Sequence, residues 1–244
     1  NSRMNHNKLL QTILDESGYS EMLKNKKDLE NENKLENIKK LGGMVEFYGK
    51  DCIESEFRAQ EISNNYGSTY ISPYNDPMIV AGQGTIGVEL DNQLNNIDKV
   101  IISVGGGGLI SGIGGYLKQV QPRAGIIACS PKNSCVMYES LNAGRILDLP
   151  SKETLSDGTA GGVEEGSITF DICKEIIDDF TVVSEQEIAK GIHIGLEKNH
   201  QLIEGAAGAA IAGFINQKEK FKGQTVVLVM CGGNISSAVL KSIL

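Results

Sequence analysis

The most chemically suggestive feature of the sequence is a run of four glycines, Gly105–Gly108, between an apolar stretch and a stretch with helical periodicity. Glycine has no Cβ, so consecutive glycines let backbone amides converge on one point and let a ligand approach them closely. The helix that follows adds the positive end of its dipole. KVIISVGGGGLISGIGGYL therefore has the strand, turn and helix order of an anion site, and we predict that the run binds a phosphate group.

Two other phosphate motifs do not fit this run. Its spacing is not G-x-G-x-x-G, and no acidic residue about twenty positions further on is placed to bind a ribose, which argues against a nucleotide-binding α/β domain. The G-K-[ST] ending of a P-loop is also absent. A turn whose glycines only permit close packing of helix and strand is the other alternative, but four consecutive glycines exceed what packing requires.

A second signal is VVLVMCGGN, residues 226–234, in which an apolar stretch leads into Cys231. Ligands of open α/β sheets bind beyond the carboxyl ends of the strands, where this thiol is expected. A lone cysteine is more often a buried and inert thiol, so Cys231 alone leaves both roles open. The five cysteines are an odd number at irregular spacing, which is typical of a reduced protein rather than of a disulfide framework. They include no CxxC pair, and the three histidines do not cluster with them. No metal site is therefore expected.

Composition narrows the classes of protein further. With 244 residues, 40% of them hydrophobic, the chain can bury a substantial core. A net charge of −8 without a basic cluster argues against nucleic-acid binding. The sequence has no apolar stretch of about 18 residues and no signal-peptide pattern at its start, so we expect a cytoplasmic protein without a membrane contact.

Strand and helix patterns alternate along the chain, which predicts an α/β fold. In residues 31–72 the predicted order is α-β-α-β, with strands at MVEFYG and TYIS, and a further helix is predicted at NKLLQTIL. Beyond residue 78, continuous apolar runs predict strands that are buried on both faces of a parallel sheet. These are KVIISVGG, AGIIACSP and QTVVLVMCGG, with a further strand at FTVVS and helices between them. Ser184 and Glu187 form the sequence pattern of a capping box at one helix start.

SVGGGGL followed by CGGN resembles the threonine dehydratase and serine racemase group of fold-type II pyridoxal-phosphate (PLP) enzymes. PYNDPMIVAGQGTIGVEL, the SDG at 156–158 and LIEGAAGAA agree, and the resemblance runs from about Asn33 to the C-terminus. It implies parallel twisted sheets flanked by helices, with a remnant of the N-terminal segment and small α/β domain at 1–72 and a large cofactor-binding domain at 73–244. It also implies PLP as the cofactor and an ammonia-lyase of amino-acid metabolism that eliminates water from a hydroxy-amino acid such as threonine or serine. A homodimer is expected.

The resemblance also implies roles for individual residues. Backbone amides would bind the PLP phosphate at Gly105, Gly106, Gly107, Gly108 and Leu109. Cys231 would face the pyridine nitrogen and, as a neutral partner, leave it largely unprotonated. Gly158 would lie beside the ring and Glu204 near the cofactor edge; a solvated carboxylate at a helix start is the alternative for Glu204.

Two family motifs have no counterpart in this sequence. The Schiff-base lysine of the family lies in S-F-K-x-R-G, and a second loop reads S-G-N-H. Aligning the stretch from Arg3 to Lys8 with the family places Asn1 at the position of the lysine, so the sequence assigns no catalytic residue. Carboxylates that bind a metal in some racemases are replaced by Ser130, Ser134 and Val136, so no metal is predicted.

Three interpretations follow from these absences. The first is a PLP-dependent dehydratase whose given sequence lacks segments on the N-terminal side, and the intact Gly105–Gly108 and CGGN motifs favour it. The second is a non-catalytic paralogue that binds PLP or another phosphate ligand. The third is a nucleotide-binding α/β domain, and the lack of a ribose-binding acid counts against it. An amino-acid racemase shares the frame of the first interpretation, but it needs a second acid–base group, which the S-G-N-H loop supplies in the family.

Overall fold

A computed structural model of the chain describes residues 29–49 and 51–244, and the helix predicted at NKLLQTIL lies outside them. Within these residues, nine α-helices accompany four β-strands. The helices are α1 (Leu29–Lys40), α2 (Cys52–Tyr66), α3 (Pro77–Gln93), α4 (Gly108–Val120), α5 (Val136–Ala143), α6 (Ile168–Ile176), α7 (Glu185–Asn199), α8 (Gly205–Gln217) and α9 (Ser237–Ile243). The strands are β1 (Lys99–Ser103), β2 (Gly125–Pro131), β3 (Asp179–Val183) and β4 (Val226–Leu228).

The four strands form one sheet in the order β3-β2-β1-β4, and every neighbouring pair is parallel. The register pairs Ile101 of β1 with Ile127 of β2 on one side and with Leu228 of β4 on the other. The predicted parallel sheet flanked by helices is therefore confirmed. Because all strands run the same way, the segments that follow β1 and β4 leave the sheet at the same edge, and these segments contain Gly105–Gly108 and Cys231.

Side chains of β1 alternate between two cores, one on each face of the sheet. Val100 and Ile102 pack into one core with helix α4, and Ile101 packs into the other with helices α7 and α8. Both faces are covered, which explains why KVIISV is a continuous apolar run rather than an alternating one. None of the described helices combines the length and the apolar character needed to cross a bilayer.

Three predicted strand assignments were wrong in whole or in part. MVEFYG and TYIS form no strand, because no other segment of the described chain pairs with them. A strand requires a hydrogen-bonded neighbour, which periodicity within one segment does not reveal. QTVVLVMCGG contributes only Val226–Leu228, which is half-buried because β4 lies at the edge of the sheet.

Candidate cofactor site

The glycine run connects β1 to α4 at the carboxyl edge of the sheet. Strand β1 ends at Ser103, Gly107 takes a left-handed conformation with φ of 88°, and α4 begins at Gly108. None of the backbone amides from Gly105 to Leu109 donates a hydrogen bond to another residue in the described part of the chain. Gly107 and Gly108 are buried, and a buried amide without an acceptor is costly unless a ligand or water satisfies it. Five successive donors at a helix start therefore form a site for an anion.

Neighbouring residues explain why these positions are glycine. A Cβ on Gly105 would lie 2.7 Å from the carbonyl oxygen of Thr159, and one on Gly106 would collide with the ring of Tyr74. On the other side, the Thr169 hydroxyl donates a 2.6 Å hydrogen bond to the Gly106 carbonyl oxygen. The loop is thus held by packing and by its carbonyl group, while its amides are left without protein acceptors.

The 3₁₀ turn Asp157–Thr159 brings Gly158 to the carboxylate of Glu204. A Cβ on Gly158 would lie 3.3 Å from Glu204 Oε1, so a side chain here would crowd the carboxylate. Glu204 Oε2 also accepts a 2.9 Å hydrogen bond from the backbone N–H of Asn234, and the Glu204 N–H donates to the Gly232 carbonyl oxygen at 3.2 Å. The half-buried carboxylate thus lies beside the SDG turn and bonds the backbone of the CGGN segment.

Cys231 lies three residues beyond β4, and its sulfur is 3.3 Å from the hydroxyl of Ser103 at the end of β1. Burial raises the pKa of the Cys231 thiol; the hydrogen bond from Ser103 lowers it in part, and the charge of Glu204 raises it. The thiol is consequently neutral near pH 7, because its ordinary pKa of about 8.5 already lies above that pH. It can donate or accept one weak hydrogen bond without carrying a charge.

The structure brings all the predicted site residues to one edge of the sheet. Gly105 contacts the turn that holds Gly158, Gly158 contacts Glu204, and Glu204 contacts the segment that begins at Cys231. Leu109 is half-buried in the first turn of α4 and packs on the core beneath it. Ser130 and Ser134 stand where some racemases have metal-binding carboxylates. The Ser130 hydroxyl donates a hydrogen bond to the Val104 carbonyl oxygen, and the Ser134 hydroxyl accepts one from the Gly161 N–H.

Three residues that contact the site were missed by sequence reasoning. Ser103 could have been found, since it ends the apolar strand that leads into the glycines. Thr159 follows the SDG motif directly, but its packing against Gly105 has no local signal. Tyr74 lies in the PYNDP turn, more than thirty positions before the glycines in the sequence, and only the fold brings its ring to Gly106.

The site fits a phosphorylated pyridine cofactor in its donor set. Unpartnered amides at a helix N-terminus suit a phosphate dianion. A neutral thiol suits a pyridine nitrogen, because it can bond the ring without adding a charge.

Comparison with known proteins points to the same cofactor. The sequence pattern of a family described as pyridoxal-phosphate dependent enzyme matches residues 24–232. An L-threonine ammonia-lyase of Thermotoga maritima is 35% identical over 212 residues, which cover 87% of this chain and 52% of that protein. A biosynthetic L-threonine dehydratase of Halalkalibacterium halodurans is 38% identical over 202 residues, which cover 78% of this chain and 48% of the relative. This chain thus spans about half the length of these two curated relatives.

Solved structures extend the comparison to the fold. The processed form of threonine deaminase isoform 2 from Solanum lycopersicum superposes with a TM-score of 0.78 at 34% identity, covering 87% of this chain and 62% of that one. Maize serine racemase superposes with a TM-score of 0.76 at 27% identity, covering 86% and 66%. The parallel sheet and its helices therefore have the fold of solved structures named threonine deaminase and serine racemase.

Proposed function

Because the chain belongs to the pyridoxal-phosphate dependent enzyme family, we propose that it binds PLP for the elimination of water from a hydroxy-amino acid, threonine or serine, with release of ammonia. The observation that carries this proposal is the run of five amides, Gly105 to Leu109, that lack an acceptor among the described residues. They lie beside a neutral thiol and a carboxylate at the ligand-binding edge of a parallel sheet. A family member with a degraded site would not need to keep this set of donors.

Each residue of the site has a defined task in the proposed function. The amides of Gly105 to Leu109 bind the phosphate and fix the position of the ring. Cys231 bonds the pyridine nitrogen as a neutral partner and keeps that nitrogen largely unprotonated. Glu204 lies beside Gly158 and holds the CGGN segment through the N–H of Asn234. Bound PLP supplies the electron sink for bonds at the substrate's α-carbon.

The names of the relatives support the substrate class. Threonine is named in both curated relatives and in the tomato structure, and serine is named in the maize racemase. Threonine is therefore the first substrate to test and serine the second. Racemisation is the alternative reaction, and it leaves the amino acid intact, whereas elimination releases a keto acid and ammonia.

The experiment uses the natural gene product, purified with PLP. Borohydride reduction followed by peptide mass spectrometry is expected to find phosphopyridoxyl-lysine, and incubation with L-threonine is expected to release ammonia and 2-oxobutanoate in equal amounts. Full occupancy by PLP without a reduced lysine adduct and without ammonia would support the non-catalytic paralogue. In a parallel incubation with L-serine, formation of D-serine without ammonia would support the racemase.

We further propose a cytoplasmic homodimer in which residues 73–244 form the cofactor-binding domain and residues 1–72 belong to a smaller α/β domain. All five cysteines are free thiols, in keeping with a reducing compartment. Every residue of the candidate site lies after residue 73. Light scattering of the purified protein tests the dimer, and cleavage near residue 73 in limited proteolysis tests the boundary.

A further inference from the structure

Tyr74 connects the glycine run to a buried carboxylate on helix α2. Its hydroxyl donates a 3.2 Å hydrogen bond to Glu56 Oε2 and accepts one of 2.8 Å from the backbone N–H of Glu164. Glu56 is 9% exposed and Tyr74 is 7% exposed, so the pair is shielded from water. A glutamate in such a position needs a reason, since burial of a carboxylate is costly unless it is bonded.

The ring of Tyr74 lies directly against the glycine run. A Cβ on Gly106 would collide with the ring, and one on Gly108 would lie 3.0 Å from Tyr74 Cβ. Tyr74 therefore supports two of the residues whose amides form the proposed phosphate site. A shift of the ring would alter the direction in which these amides point.

The carboxylate of Glu164 ties three segments of the chain together around Tyr74. It accepts hydrogen bonds of 2.8 Å from Gln60 of α2 and of 2.8 Å from Asn75, which follows Tyr74. Asn75 in turn accepts a 3.0 Å bond from the N–H of Ile168 at the start of α6. One polar cluster thus holds α2, the segment before α3 and the segment before α6 around the glycine run.

The charges around Glu56 are all of one sign. Tyr74, Glu164, Asp51 and Cys52 are the titratable groups that interact with it, and no described residue forms an ion pair with it. Burial raises the pKa of the Glu56 carboxyl to about 7; the Tyr74 hydrogen bond lowers it in part, and the charges of Glu164 and Asp51 raise it. Glu56 therefore changes its charge within the physiological pH range, unlike an ordinary glutamate.

We propose that Glu56 is a positioning residue for the phosphate-binding glycine run, that it acts through Tyr74, and that loss of its proton weakens phosphate binding. Ionised Glu56 is repelled by the carboxylates of Glu164 and Asp51, which favours a displacement of the Glu56 side chain together with the Tyr74 hydroxyl that is bonded to it. The inference rests on the proposed cofactor site and adds a regulatory element outside it.

The test measures the dissociation constant of pyridoxamine 5′-phosphate, a probe that forms no covalent bond to lysine, by isothermal titration from pH 5.5 to 8.5. Glu56→Gln keeps an acceptor for Tyr74 but cannot ionise. The probe's own protonation changes both dissociation constants equally, so the ratio of the wild-type constant to the Glu56→Gln constant is independent of it. This ratio is expected to rise from near one at pH 5.5 to about ten at pH 8.5.

Tyr74→Phe and Glu61→Gln complete the design. Tyr74→Phe removes the hydroxyl and is expected to abolish the pH response that distinguishes wild type from Glu56→Gln. Glu61→Gln changes an exposed carboxylate on the same helix that pairs with Arg58, and it is expected to follow the wild-type profile. Circular dichroism establishes that each variant is folded before titration.

Two results would overturn the proposal while leaving the cofactor site standing: a constant ratio between wild type and Glu56→Gln across the pH range, or a wild-type pH response retained in Tyr74→Phe. A wild-type chain that fails to bind the probe at every pH would instead reject the phosphate site, and the positioning role with it. The two failures are therefore distinguishable from one set of titrations.

Discussion

The hydroxyl of Ser103 lies 3.3 Å from the thiol of Cys231, so that polar atoms following two neighbouring strands meet at the carboxyl edge of the sheet. Ser103 ends β1 just before the glycine run, and Cys231 opens the CGGN segment beyond β4. This contact places the proposed partner of the pyridine nitrogen beside the proposed phosphate-binding amides. The two ends of one flat, phosphorylated ligand can therefore be held by adjacent strands.

Replacement of Cys231 tests its proposed bond to the cofactor. Cys231→Ser keeps a neutral hydrogen-bonding group and is expected to change PLP affinity by less than about threefold. Cys231→Ala removes that group and is expected to weaken binding about fivefold to tenfold, the size of one net hydrogen bond. Fluorescence titration with PLP measures both. Equal affinities for the alanine and serine variants would contradict a bond at this position.

Alanine substitutions in α4 and the loop before it separate the role of the glycine run from helix stability. Gly106→Ala is expected to weaken PLP binding more than about tenfold, because the new Cβ must displace the Tyr74 ring or the loop. Gly115→Ala on the same helix meets nothing within 4 Å and is expected to leave binding unchanged while stabilising the helix by about 0.5–1 kcal/mol. Equal binding by Gly106→Ala and wild type would argue against the loop as the phosphate site.

The stability of the protein should depend on pH through Glu56. Its pKa rises from 4.5 to about 7 on folding, so the folded state holds a proton that the unfolded state releases. The stabilisation of the folded state by this bound proton is present in full below about pH 4.5 and is lost as the pH rises to about 7. Glu56→Gln should therefore match wild type near pH 4.5 and exceed it by up to roughly 3 kcal/mol at pH 8. Urea unfolding of both proteins across this range is the measurement, and a pH-independent difference would contradict the assignment.

Gly205 is predicted to be essential for the position of Glu204. A Cβ at Gly205 would collide with the Leu155 carbonyl and lie 2.6 Å from the Ser156 nitrogen, at the segment that leads to Gly158. Gly205→Ala is expected to cost about 1–3 kcal/mol of unfolding free energy and to weaken PLP binding. Gly82→Ala in α3, where nothing lies within 4 Å, serves as the control and should not lower either quantity. Denaturant midpoints and PLP titrations together distinguish the two variants.

Much of the architecture could be predicted because its signals are local. The apolar run of β1, the glycines after it and the capping box at Ser184 each specify their own structure within a few residues, and the structure has all three. The site residues Gly105 and Cys231 were found in the same way, from a strand that leads into a motif. Their position at the same edge follows from the parallel pairing of β1 and β4.

What could not be predicted depends on contacts between distant segments. Residues 44–49 alternate like a strand, yet no described segment pairs with them. Tyr74 bonds a carboxylate 18 positions before it and an amide 90 positions after it, and no periodicity encodes either separation. Glu56 likewise lies on a polar helix, and its burial could not be predicted because it depends on distant segments that pack against that helix.

The most direct test of the cofactor site compares pyridoxamine 5′-phosphate with pyridoxamine in isothermal titrations of the purified chain. The two ligands share the ring and differ by the phosphate, which the five amides from Gly105 to Leu109 are proposed to bind. We predict saturable binding of the phosphorylated ligand at one site per chain, with pyridoxamine at least about a hundredfold weaker, as expected for the loss of a charged, multiply bonded group. Equal affinity for the two ligands, or no binding of either, would contradict the central claim.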